Sequence, residues 1–227
     1  MRARRLHIAA AVLMLLATAA WGQPHLRVPE MYFGVHGGVS ASTVQFTPTV
    51  PNMSPLTDAV VLGGNAGLVF RWSGQKCCAV QVEVNYLQRG WREANEGEAY
   101  VRRLHYIEVP FLMHIYFGSK TFRGFMNLGP QIGYCVHDEG GQGNRQPEEI
   151  YQYNPVERPF DWGIAGGLGF YYRSRNAGLY QIEVRYNYSL GTLFDPSLTA
   201  HFRNSNPMEL SLNLAWLWEF KPKQKHQ

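Results

Sequence analysis

Beyond residue 20 the chain has no apolar run of the about 20 residues that a membrane-crossing helix needs. Cysteine is scarce: Cys77, Cys78 and Cys135 are the only three. Two of them are adjacent, so they build no disulfide framework, and no CxxC or HxxxH spacing marks a metal site. A large excess of either charge is missing too. With 21 Lys and Arg against 17 Asp and Glu the formal charge is +4, and removal of Arg2, Arg4 and Arg5 would leave +1. No basic stripe interleaved with aromatics appears, which argues against a nucleic-acid partner. No GxSxG motif frames a serine.

What the chain does have is alternation. From Gln181 to Leu190, Ile182, Val184, Tyr186, Tyr188 and Leu190 fall on one side. Gln181, Glu183, Arg185, Asn187 and Ser189 fall on the other. A period of two is a strand with one face in an apolar medium and one in a polar medium. Glu and Arg in mid-strand do not suit an ordinary core. A closed barrel in a bilayer puts the apolar side out to lipid and the polar side in.

Seven more stretches read the same way, at about 31–43, 60–72, 78–89, 101–117, 122–136, 160–173 and 208–220. The connections alternate short and long. Residues 73–76, 118–121 and 174–178 are tight turns rich in Gly, Ser and Asn. Residues 44–59, 90–100, 137–159 and 192–207 are long loops. This is the pattern of an eight-stranded antiparallel outer-membrane barrel, with short periplasmic turns and both termini in the periplasm. Pro110 and Pro130 are expected at bulges. Inward glycines, among them Gly67, Gly129, Gly163, Gly167 and Gly169, are expected to give room to large inward side chains.

The first 22 residues read as a cleaved signal peptide. A basic start precedes an apolar segment from Ile8 to Ala20, and small residues follow at Ala20 and Gly22. Residues 23–227 then form one barrel domain. A soluble lipocalin-like barrel is the rival fold. It would put the apolar face inside and expose Glu83, Glu183 and Arg185.

The lumen-facing charges are Glu83, Arg89, Glu108, His114, Glu183, Arg185 and Glu209. Buried charges must be paired and hydrogen-bonded, so the first reading is an ion-pair plug and the second a narrow polar pathway. Trp72, Trp162, Tyr172, Trp216, Trp218 and Phe220 lie outward near strand ends, as an aromatic girdle does. The basic tail 221–227, with Lys76, Lys120, Arg173 and Arg175, makes a positive periplasmic rim that suits acidic headgroups or a periplasmic protein partner. Ser42, Ser189, His105 and His201 are the serines and histidines nearest to a catalytic reading. No catalytic residue and no cofactor is assigned.

Four segments carry a resemblance. They are Tyr106 to Phe117 (YIEVPFLMHIYF), Leu128 to Tyr134 (LGPQIGY), Asp161 to Gly169 (DWGIAGGLG) and Glu183 to Leu190 (EVRYNYSL). In order and spacing they resemble the PorT-like outer-membrane β-barrel domain family of Bacteroidetes-type bacteria. That resemblance implies the barrel fold, no catalytic set, and a structural or accessory role in protein secretion across the outer membrane by the type IX route. Two other functions remain open: a narrow channel for small solutes and a lipid-modifying enzyme. The expected partners are outer-membrane lipids and a secretion-machinery or periplasmic protein.

Overall fold

The computed structural model describes residues 30–48, 60–74, 77–95, 98–119, 121–143, 156, 158–174, 176–193 and 202–220. The expected signal peptide, the basic tail and His201 lie outside these residues. Eight strands follow one another around a closed barrel. They are β1 (Glu30–Pro48), β2 (Val61–Ser73), β3 (Cys78–Asn95), β4 (Glu98–Gly118), β5 (Phe122–Gly143), β6 (Phe160–Ser174), β7 (Gly178–Ser189) and β8 (Phe202–Phe220). Each pairs antiparallel with its chain neighbour, and β1 closes on β8 with Met31 opposite Phe220. Both ends of the described barrel therefore lie at the short-turn end.

The alternation sorts the side chains. On β7, Tyr180, Ile182, Val184 and Tyr186 are exposed outward, while Gln181, Glu183, Arg185 and Asn187 are buried inside. The same holds around the ring, which rules against the lipocalin-like arrangement. Tyr180 to Leu190 spans ten residue steps. At about 3.4 Å each and a tilt of about 40°, that gives a band about 26 Å tall, close to the about 25 Å expected for the lipid-facing belt.

Two turns need glycine. Gly118 has φ +119° and Gly178 has φ +90°, a left-handed backbone that other residues adopt only under strain. An added Cβ on Gly118 would also meet the Phe122 carbonyl at 2.9 Å.

The strands run further at the long-loop end than alternation alone implies. β1 reaches Pro48, β3 Asn95 and β5 Gly143, while β4 starts at Glu98 and β8 at Phe202. Most of the expected 90–100 loop is thus a continuation of the β3–β4 hairpin. Above the belt the outward face meets water, so the apolar half of the pattern disappears while the ladder continues.

Pro110 and Pro130 do not sit at bulges. Pairing is interrupted beside Pro110 on both sides and resumes in the same register, and Pro130 stays opposite Ile164. Skipping a bond absorbs the missing N–H without an extra residue. The β4–β5 irregularities lie instead between Arg102 and Leu104 and between His105 and Tyr106.

Val184, half-exposed in mid-belt, tests the assigned lipid face. Val184→Arg should cost roughly 2–4 kcal/mol of membrane-inserted stability. Urea titration of refolding into vesicles reads this directly, and an unchanged midpoint would contradict the assignment.

Candidate functional site

The barrel interior is layered. At the short-turn end Tyr32, Val69, Ala79, Tyr116, Phe125, Tyr171, Leu179 and Leu217 form an apolar plug. At the long-strand end Val44, Leu87, Trp91, Leu104, Tyr106 and Leu193 form a second one. Between them lie two polar layers, each built on a guanidinium.

The layer nearer the turns centres on Arg185. Its Nη1 and Nη2 donate to both oxygens of Glu83 at 2.6 and 2.7 Å. Its Nε and Nη2 donate to Glu183 at 3.1 and 2.9 Å. Glu83 also accepts from Gln81 at 2.5 Å and from Asn85 at 2.9 Å. Glu183 accepts from Asn127 at 2.9 Å and from Gln181 at 3.2 Å. Each carboxylate thus receives two donors per oxygen, its full acceptor capacity. Arg71 holds the two glutamines in place through their carbonyl oxygens, Gln81 at 2.7 Å and Gln181 at 2.5 Å. His36 Nε2 donates to Asn85 Oδ1 at 2.6 Å, and His114 Nδ1 to Asn127 Oδ1 at 2.7 Å. Arg71 and Arg185 balance Glu83 and Glu183.

The second layer is not balanced. Arg89 donates from Nε to Glu209 at 2.6 Å, from Nη1 to Asp161 at 3.3 Å, and from Nη2 to Glu108. One cation serves three carboxylates. Ser189 Oγ donates to Asp161 at 2.5 Å, and Arg89 lies over the Tyr106 ring, 5.5 Å from its centroid.

All seven lumen charges named from the sequence are buried. They fall into two groups: Glu83, Glu183, Arg185 and His114 in one layer; Arg89, Glu108 and Glu209 in the other. Arg71 and Asp161 complete these layers. Both sat on the inward side of the sequence pattern, but only closure brings them to their partners. Among the glycines, Gly167 leaves room for the Glu183 carboxylate, Gly67 for Asn85 and His36, and Gly169 for the Phe125 ring. Gly129 and Gly163 instead face backbone carbonyls of the next strand, at Phe111 and Tyr188.

No catalytic set assembles from the named serines and histidines among the described residues. Ser42 Oγ accepts from the Gly90 amide at 2.9 Å, and Ser189 is held by Asp161. His105 points outward, between Tyr86 at 2.5 Å and Glu139 at 2.8 Å. The six girdle residues are exposed on the outer wall. Register puts Trp72, Tyr172, Trp216, Trp218 and Phe220 at the short-turn end, and Trp162 opposite Ile132, at the other end. Tyr180 extends the lower girdle, stacked on Trp216 with planes 2° apart. At the turn-end rim Arg173 is paired with Glu30 and Glu219, each at 3.1 Å. Its charge is therefore offset there; the other residues of the expected positive rim lie outside the described residues.

Truncating Arg89 leaves three buried carboxylates without their cation. Arg89→Met should destabilise the barrel by about 3–5 kcal/mol, since a buried ion deprived of its partner is costly. The combination Arg89→Met with Glu108→Gln and Glu209→Gln should recover most of that loss in urea unfolding. Equal stability of the single variant and wild type would show that the network contributes nothing.

No curated protein matches the chain. Solved structures that resemble it include OprG from Pseudomonas aeruginosa, at 14% identity and a TM-score of 0.49, covering 86% of this chain and 97% of that one. The outer membrane protein AlkL matches at 12% identity and a TM-score of 0.45, covering 90% and 96%. Ail from Yersinia pestis matches at 12% identity and 0.39, covering 82% and 98%. The sequence profile of the outer membrane protein β-barrel domain family matches residues 23–195, most of the chain. The chain belongs to that family.

Proposed function

We propose that the protein is a non-enzymatic outer-membrane barrel that works through the surfaces at its two ends, as a structural element or an accessory to protein secretion. The carrying observation is the stacking of the lumen. Two buried ion-pair layers, the one around Arg185 saturated, lie between two apolar plugs, one around Trp91 and Leu104 and one around Phe125 and Leu217. A solute or ion would have to cross both plugs and displace paired charges between them. Eight strands leave an interior just wide enough to be filled by side chains, so this barrel is better suited to anchoring and presenting its ends than to conducting.

The resemblance to the PorT-like family supports the secretion side of this reading. In it the short-turn end, with both ends of the described barrel, faces the periplasm, where a secretion-machinery or periplasmic protein would dock. The long-strand end faces outward.

Planar-bilayer recording is expected to give no unitary current steps. Steps of regular size would overturn the closed lumen and favour a channel for small solutes. Deleting the gene should remove a defined set of exported proteins while the outer membrane stays intact. An unchanged surface proteome would remove the secretion role. Lipid A masses should not change on expression; a mass shift would favour a lipid-modifying enzyme.

A further inference from the structure

Cys77 and Cys78 lie at the short-turn end, where the chain enters β3. The last pair of the β2–β3 ladder there is Trp72 with Val80, so both cysteines lie beyond that ladder. On the β4 side Cys78 is opposite Ile115, and the Cys77 carbonyl accepts from the Tyr116 amide at 2.9 Å. Neighbours on an extended strand point to opposite faces, and two thiols placed so would diverge. The chain instead bends at Cys77, immediately before β3 begins. That bend turns the two sulfurs together, Sγ to Sγ at 3.5 Å. Cys77 is exposed and Cys78 half-buried.

Cys135, the remaining cysteine, is out of reach. Ile115 is opposite Met126, and Cys135 lies nine residues further along β5. At about 3.4 Å a step, that is about 30 Å away. Within the chain the pair can bridge only to itself. Adjacent α-carbons sit about 3.8 Å apart, closer than the about 4.4–6.8 Å that an ordinary bridge spans. A bridge between neighbours therefore closes under strain and is readily reduced, which suits exchange rather than a permanent staple.

We propose that Cys77 and Cys78 form a thiol–disulfide exchange site at the short-turn rim, with a protein disulfide of the periplasm as the partner. The Cys77 thiolate attacks one sulfur of the donor disulfide. A mixed disulfide forms, the donor S–S bond breaks, and the expelled thiolate takes up the proton that Cys77 released. The Cys78 thiolate then attacks Cys77 Sγ, closes the bridge between the two, and expels the second donor sulfur, which takes up the proton from Cys78. Two electrons and two protons pass from the cysteine pair to the donor, which ends as two thiols. Exposure makes Cys77 the attacking group, and the 3.5 Å separation puts Cys78 in place to resolve the intermediate. The inference rests on the reading above that places this end in the periplasm, an oxidising compartment.

The test uses the full-length protein, reduced and folded in phosphatidylcholine nanodiscs. Glutathione disulfide is the donor, and iodoacetamide trapping is read by mass spectrometry. Wild type should lose alkylation at both Cys77 and Cys78 and retain no glutathione on either. Cys78→Ser should stop with one glutathione on Cys77. Cys77→Ser should react roughly tenfold more slowly than Cys78→Ser. Cys135→Ser should bridge like wild type. Continued alkylation of both cysteines, glutathione held on both, or a covalent dimer in place of the internal bridge would each overturn the proposal. The same trapping in native cells reads the compartment: the pair should be bridged there. A pair that bridges in nanodiscs yet stays fully alkylatable in cells would overturn the periplasmic partner. Failure of wild type to enter the nanodisc is a separate result, and would remove the membrane reading itself.

Discussion

The interaction on which the rest depends is the clasp of Arg185 on Glu83 and Glu183. Glu83 comes from β3 and Arg185 from β7, on far sides of the ring. The pair forms only when the sheet has closed with the right stagger. A buried ion pair adds little net stability over a well-packed apolar group, but a broken one is costly. Its value here is discriminating. A one-residue slip of β7 would turn Glu183 and Arg185 to the lipid and leave Glu83 inside without its guanidinium. The clasp thus penalises wrong registers more than it rewards the right one. Gly167 belongs to the same device, since any side chain there would take the space of the Glu183 carboxylate.

The layer above works under a different constraint. Arg89 reaches three carboxylates from three strands, β4, β6 and β8. A planar fork with five donors can do this and an ammonium cannot. Because the acids outnumber the cation, the layer leans on every one of those bonds. The apolar plug around Trp91 and Leu104 lies on its outer side, and a low-polarity surrounding strengthens each bond and raises the cost of losing any. Plug and network are therefore mutually dependent: polar layers fix the register, and apolar layers seal them.

The belt portion of the fold was legible in sequence because lipid enforces a strict period of two. Each of the eight strands was visible as a run such as Ile182–Leu190, and Glu83, Arg89, Glu108, His114, Glu183, Arg185 and Glu209 could all be assigned to the inward side. Three things were not legible. Strand ends above the belt lose the apolar half of the pattern, so Glu93 or Asn204 gives no signal that the ladder continues. The partners of Arg71 and Asp161 are set by closure, because local alternation reports only a side and not a height. The prolines misled: their missing N–H suggested a bulge, whereas the sheet skips a bond and keeps its count.

The irregularity opposite His105 and Tyr106 explains why the outer wall changes character where it does. Up to Tyr134 even-numbered β5 residues face out, and strict alternation would send Asp138 outward and His137 into the lumen. The extra residue at Cys135–Val136 reverses this. Asp138 turns inward, where it receives Nε of Arg102 at 3.0 Å as well as Nη2. His137 turns outward beside His105, with ring centroids 5.4 Å apart. One inserted residue thus supplies a half-buried acid for Arg102, whose guanidinium lies over Trp91 of the upper plug. It also moves a polar ring onto the outer surface one row above the belt. Bulges re-aim side chains at the rims of barrels. This one marks where the wall stops being a solvent-excluding cylinder and starts to carry the polar chemistry of a membrane interface.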